Sequence, residues 1–305
     1  MSRKKPQSRS RPSSRSRSRR SSSSSVQRFL RAFALSAFAA FSVASCVLNP
    51  EWRDTATLET VLAELGWQSE QPAAVPVASG GPYAQTRFSQ CRDFFPLAGT
   101  PIVPVSPGLR ELCFSAFAIL HSGQTKTPVF VAQRLNRDML LQGQGVQRTD
   151  RFYAEARLPS AERAELADYR NSGYSRGHMA PAADMHNDEA MAQSFSLANM
   201  VPQNQSHNAG AWSRIEQDTR KYVMRSRGDV YVFTGPVYMG RPATIGSGRV
   251  AVPTHLYKVV HDAASGRTWV HWQENSAASR AGPPISYEEF VSRTGLHLLP
   301  QPGQG

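Results

Sequence analysis

The side chains best suited to chemistry lie in two stretches. Ser172-Gly-Tyr-Ser-Arg-Gly-His-Met-Ala-Pro-Ala-Ala-Asp184 sets His178 between a glycine-broken turn and a run of small apolar residues. About thirty residues on, Asn199-Met-Val-Pro-Gln-Asn-Gln-Ser-His-Asn-Ala-Gly-Ala-Trp-Ser-Arg-Ile-Glu216 opens a helix at an amide and carries an acid two turns later. Hydrolysis of a phosphodiester needs water stripped of a proton, an in-line approach to phosphorus, and positive charge on the phosphoryl and leaving oxygens. A neutral imidazole, with a reference pKa of about 6.5, suits the first need. A divalent cation held by an amide oxygen suits the last. Together the stretches read as a metal-dependent phosphodiesterase site.

Each assignment competes with a plainer one. An arbitrary histidine more often bonds within a core than catalyses, and it is the paired stretch that favours His178 as a base. His186 and His207 lack such a context and are assigned to surface or supporting positions. Asn208 is either a cation ligand or a helix N-cap. Trp212, Ile215, Thr219 and Tyr222 recur at the helical period and Asn208 opens the same stripe, which favours the ligand. Trp212 itself reads as a core anchor. Glu216 stands roughly 12 Å further along the axis, too far to share the cation directly, and is expected to hold water around it. Arg220 either leans back to meet phosphate or pairs with Glu216 on the surface. Arg176 touches phosphate or braces the turn. No His-Glu-x-x-His occurs, so a zinc-protease reading has no support.

These residues need strands and helices to position them, and the pattern is α+β without a βαβ rhythm or internal repeat. Leu109 to His121 and Thr127 to Leu135 read as two antiparallel strands about the turn Ser122-Gly-Gln-Thr. Short helices are expected over Pro159 to Tyr169 and Asn187 to Gln193, then an extended segment from Phe195 to Val201 that Pro202 stops. A longer helix is expected from Asn208 to Arg227. Asp229 to Thr234, Arg249 to His261 and Arg267 to Gln273 are strand-like, and Ser286-Tyr-Glu-Glu289 has the form of a capping box.

The formal charge of +12 invites a nucleic-acid reading, but residues 1–31 hold 11 of the 35 Lys and Arg and no acid. The remainder carries 24 bases against 23 acids, so global attraction to phosphate is weak support and any such claim must rest on a local site. The Ser- and Arg-rich residues 1–31 read as a disordered basic leader. Residues 32–48 are an apolar segment after Arg28 and Arg31, taken as an export signal or membrane anchor. Val43-Ala-Ser-Cys46 resembles the lipobox of bacterial lipoproteins, so attachment runs through residues 32–48 or through a lipidated Cys46. The expected address is exported, periplasmic or membrane-anchored facing the periplasm, with secretion or a mitochondrial transit peptide as the alternative. Residues 49–87, with a short helical pattern over Thr57 to Leu65, read as linker. The functional domain is placed at 88–300, with 301–305 a tail. Cys91 and Cys113 are expected to form a disulfide in an oxidising compartment, against two buried thiols.

The two stretches resemble the DNA/RNA non-specific endonucleases, a ββα-metal group. Members carry Asp-Arg-Gly-His, Leu-x-Asn-x-x-Pro-Gln and Asn-x-x-x-Trp-x-x-x-Glu. Here these correspond to Ser175-Arg-Gly-His178, Leu197-Ala-Asn-Met-Val-Pro-Gln203 and Asn208-Ala-Gly-Ala-Trp-Ser-Arg-Ile-Glu216. The resemblance spans roughly Cys113 to Leu299. It implies a ββα-metal nuclease fold with a central, mainly antiparallel sheet flanked by helices. His178 becomes the general base, Asn208 the protein ligand of one Mg2+ (or Mn2+ as a substitute), Glu216 a holder of its water shell, and Arg220 an aid to the phosphate. Asn199 matches an asparagine at the edge of the active site. DNA and RNA are the implied partners, cut with little sequence preference to leave 5′-phosphate ends, and a homodimer is admitted. Ser175 departs from the family aspartate. A catalytically impaired exported nucleic-acid-binding protein is therefore the alternative, and a hydrolase of small phosphodiesters a third.

Overall fold

The central strands bury side chains on both faces, so the architecture follows from where their alternating rows point. A computed structural model describes residues 73–77 and 81–300. The chain divides into units 1–69 and 70–305, and the described residues all belong to the second. The leader, the apolar segment 32–48, the helical pattern at Thr57 to Leu65 and the tail lie outside the described residues.

The strands are Val75–Pro76 (β1), Tyr83–Gln85 (β2), Ile102–Pro104 (β3), Leu109–Cys113 (β4), Ala118–Ser122 (β5), Thr127–Leu135 (β6), Tyr174–His178 (β7), Met200–Asn204 (β8), Val230–Val237 (β9), Thr244–Ile245 (β10), Val250–Ala251 (β11), His255–Asp262 (β12) and Thr268–Glu274 (β13). Seven form one sheet, in the order β1-β4-β5-β6-β9-β12-β13, with every neighbouring pair antiparallel. The ribbons β2-β3, β7-β8 and β10-β11 stand apart from it. Helices at Asp188–Ser194, at Ser213–Val223 and at Tyr287–Thr294 complete the expected α+β arrangement.

The sheet separates two cores. On β12, Tyr257 and Val259 join Phe88, Phe130, Phe233 and Phe290 in one. Leu256 joins Val131, Met179, Trp212 and Ile215 in the other, which backs the ribbon β7-β8 and the helix after it. Trp212 is fully buried there, and a side chain of this kind contributes about 2–3 kcal/mol by leaving water. The expected helix starts hold: Asn187 accepts from Ala190 N–H, and Ser286 accepts from Glu289 N–H. Cys91 and Cys113 are joined, with Cα atoms 5.8 Å apart.

Arg249 to His261 is two strands, β11 and β12, and Pro159 to Tyr169 is a 3-10 turn, Ser160–Glu162, followed by the one-turn helix Leu166–Tyr169; three further segments differ from expectation. Leu109 to His121 is not one strand but the hairpin β4-β5, whose turn Phe114 to Phe117 contains no Gly, Pro or Asn. Distant partners hold it: the Gln193 carboxamide accepts from Ser115 N–H, and the Arg157 guanidinium covers the Phe114 ring and donates to Cys113 O. Second, part of the expected linker is structured, with β1 paired to β4 and β2 to β3. Glu111 explains the order there, because its buried carboxylate accepts the backbone N–H groups of Arg87 and Phe88. Third, Phe195 to Val201 is not a single extended run; Leu197–Asn199 is a 3-10 turn, and β8 passes straight through Pro202. A proline is tolerated there because it withholds only a donor, and its carbonyl still accepts from Asn275.

Candidate active site

The site is built on β7, β8 and the helix that follows. The register sets Ser175 against Gln203, Gly177 against Val201 and His178 against Met200. Alternation therefore puts Arg176 and His178 on one face of β7 and Ser175 and Gly177 on the other. Glycine at 177 is a matter of space: a Cβ there would lie 2.1 Å from Gln203 Oε1 and 2.6 Å from Gln203 Cβ. The turn after His178 is clamped by Asn199, which is wholly buried. Its Nδ2 donates to the carbonyls of Ala180 and Ser194, and its Oδ1 accepts from Ala180 N–H. Asn199 is thus committed to holding the backbone behind His178.

His178 sits between the rings of Phe152 and Phe195, with centroids 5.8 and 5.1 Å away. Its Nε2 is sealed off without a partner, which leaves Nδ1 as the nitrogen open to solvent. Burial, helped by the charges of Arg148 and Arg176 and opposed by Asp150, pushes the imidazole down to about 3. It is neutral at physiological pH. Arg148 and Arg176 are exposed, with guanidinium groups over the rings of Phe195 and Phe152. These two arginines, Phe152, Tyr174, Ser175 and Asn208 share the walls of a cavity of about 720 Å³. Arg148 escaped the sequence reading because it lies thirty residues before His178 with no motif around it.

Asn208 is not the helix cap. Asn204 is, its side chain accepting from His207 N–H at 3.1 Å. Gln205–His207 forms the first turn, and Asn208 begins a π-helical turn, Asn208–Trp212, of a type that recurs at functional sites. Its half-buried carboxamide makes no side-chain hydrogen bond, unlike those of Asn187, Asn199 and Asn204. Among the described residues no group of three or more His, Cys, Asp or Glu is placed to hold a metal. The Asn208 amide oxygen is a neutral donor of the kind that suits a cation keeping most of its water.

Further along the helix, Arg220 pairs with Asp184 at 2.9 Å, not with Glu216. Glu216 is half-buried. Desolvation drives its carboxyl up to about 7, reinforced by Asp184 and opposed by Lys258 and Arg220. Asp184 and Lys258 carried no signal in the sequence. His207 is buried against the Trp212 ring, as befits a supporting residue, and His186 is partly buried. Ser175 is half-buried and, among the described residues, has no side-chain hydrogen-bond partner.

Residues 100–296 match the family described as DNA/RNA non-specific endonuclease. The chain belongs to that family. Among relatives of these endonucleases, the mitochondrial nuclease EXOG of Xenopus laevis is 34% identical over 244 residues, covering 76% of this chain and 59% of that protein. Human mitochondrial endonuclease G is 35% identical over 215 residues, covering 64% and 71%. The chain spans about half the length of the first EXOG relatives it matches. A solved chain of an EndoG/EndoGI complex superposes with a TM-score of 0.59 at 26% identity, covering 72% of this chain and 92% of that one. The expected periplasmic or membrane-anchored address is overturned, since EXOG of zebrafish and human, human endonuclease G and nuclease 1 of Schizosaccharomyces pombe are all mitochondrial by name. Among the described residues no helix is long and apolar enough to cross a membrane.

Proposed function

We propose that this chain is a magnesium-dependent, sugar-non-specific endonuclease that hydrolyses phosphodiester bonds of DNA and RNA and leaves 5′-phosphate ends, through a domain at 88–300. The observation that carries the reading is the uncommitted Asn208 amide on the wall of a cavity it shares with Arg148 and Arg176, whose guanidinium groups lie over the two rings that flank a neutral His178. The description of the family, non-specific for DNA and RNA, supports the substrate class.

In this reading His178 Nδ1 takes a proton from water, with Nε2 carrying the ring hydrogen on its sealed side. The resulting hydroxide attacks phosphorus in line with the departing 3′ oxygen, which takes up a solvent proton. The exposed guanidinium groups of Arg148 and Arg176 bind the phosphate oxygens and orient them. Asn208 Oδ1 would hold Mg2+, or Mn2+ in its place, which when bound supplies positive charge to the phosphoryl and leaving oxygens. Glu216 would accept hydrogen bonds from water that such a cation holds. Asp184 holds Arg220 at 2.9 Å, and in this reading Arg220 aids the phosphate.

The purified full chain should relax supercoiled plasmid and degrade RNA with Mg2+ and not with EDTA. His178→Ala should abolish cutting without changing the unfolding midpoint; equal cutting by that variant overturns the assignment. DNA bound tightly in Mg2+ but left uncut would instead identify a nucleic-acid-binding protein without catalysis.

A further inference from the structure

The passage from β8 into the helix that carries Asn208 is held by a residue 71 positions further along the chain. Asn275 directly follows β13, and its own N–H donates to Thr254 O at 2.8 Å. Its carboxamide oxygen accepts from Asn204 N–H at 2.8 Å, and its Nδ2 donates to Pro202 O and Pro253 O at 3.0 Å each. One side chain therefore staples the end of β8, the turn before β12 and the end of β13. Both prolines are buried, so water is a poor substitute for the amide at their carbonyls. Pro202 also withholds a donor from the ribbon β7-β8, which leaves more of the work of fixing the strand there to Asn275. Hydrogen bonds lead on from the staple to Asn208. Asn204 Oδ1 accepts from His207 N–H at 3.1 Å, and Asn208 N–H donates to Gln205 O. Asn208 thus opens its π-helical turn from a backbone that Asn275 fixes on the N-terminal side. Asn275 itself is not on the wall of the cavity that Asn208 lines, so its reach is through the main chain.

We propose that Asn275 is a positioning residue of the nuclease site: its carboxamide fixes the backbone where β8 becomes the site helix, and so sets where the Asn208 amide stands in the cavity. This rests on the nuclease reading for what the Asn208 amide then holds, and not for the staple itself. Asn275 and the Asn204 cap do different work. Asn204→Ala keeps the backbone N–H that Asn275 takes, whereas Asn275→Ala frees that N–H together with two buried carbonyls. The cap contributes stability, and the staple contributes location.

The test is Asn275→Ala in the full-length chain, with Mn2+ as the probe. Paramagnetic resonance of free Mn2+ should show binding weakened about ten-fold, the low end for residues that orient a metal ligand. The Mg2+ concentration that half-saturates plasmid nicking should rise by the same factor. In the metal-free protein, amide exchange at His207 and Asn208 should quicken while exchange in β5 does not. Asn136→Ala, which removes a helix cap and a bond to Asp229 elsewhere in the domain, should lower the urea midpoint and leave Mn2+ binding unchanged. Asn275→Ser, neutral and able to replace only part of the staple, should weaken Mn2+ binding by less, which covers the case in which the alanine variant does not fold. With Asn208→Ala abolishing Mn2+ binding in the same assay, wild-type Mn2+ affinity in a folded Asn275 variant overturns the proposal. If Asn208→Ala instead binds Mn2+ as the wild type does, it is the nuclease reading that fails, and unchanged exchange at Asn208 in the Asn275 variants then overturns the staple as well.

Discussion

Replacing Gly177 by alanine should damage catalysis more than stability. The new Cβ would stand 2.1 Å from Gln203 Oε1, 2.6 Å from Gln203 Cβ and 3.0 Å from Gln203 Cδ. Non-bonded carbon is comfortable at about 3.5–4.0 Å. Swinging the carboxamide away relieves the first contact and breaks its hydrogen bond with His207 Nδ1. It does nothing for the second, because Gln203 Cβ is fixed to the backbone of β8. The two strands must therefore part by about 1 Å beside His178. Overpacking of this kind costs about 1–3 kcal/mol, and a displacement of about 1 Å in a reacting group costs roughly 10²-fold in rate. Urea unfolding and plasmid nicking in Mg2+ measure the two effects on the same preparation. Adding Gln203→Gly removes the offending atoms and should recover rate more than stability. An alanine variant with unchanged midpoint and unchanged rate would refute the steric account, since Gly177 is not among the glycines that need positive φ.

The two asparagines at the start of the site helix should separate cleanly. Asn204→Ala removes the cap and should cost about 1 kcal/mol while leaving the Mg2+ response intact; Asn208→Ala should leave the urea midpoint in place and abolish the Mg2+ response. Equal destabilisation by both would mean that Asn208 serves the helix and not a cation. Acid should weaken the fold through His121, which is fully buried, donates its Nε2–H to the Glu162 carbonyl, and is pushed down to about 4 by desolvation. Its folded value lies below its unfolded one, so the unfolded chain binds more protons between about pH 4 and 6.5, and stability of order 3 kcal/mol is lost as pH falls through that window. Glu216, raised by burial, works in the opposite sense and gives up stability as pH rises from its unfolded value toward about 7. Urea midpoints across this range should fall less steeply on the acid side in His121→Asn; an identical slope would contradict the assignment.

Capping, strand alternation and motif spacing are local properties, and they were legible in the chain itself. Asn187 and Ser286 cap helices where their neighbours say they should, and Thr127 to Leu135 is a strand as read, though buried on both faces rather than one. The order His178, Asn208, Glu216 led to the right family. Tertiary structure decided everything that depends on a partner far along the chain. Gln193 and Arg157 close a turn at Phe114 that contains no Gly, Pro or Asn. Ala180 and Ser194 claim Asn199, Asn204 takes the cap and leaves Asn208 free, and Asp184 takes Arg220 from Glu216. Arg148 and Lys258 reach the site from segments with no motif at all. Periodicity and capping involve residues within one turn or one pleat of each other. Burial, by contrast, brings together charges separated by many tens of residues, and such meetings leave no repeating trace in the sequence.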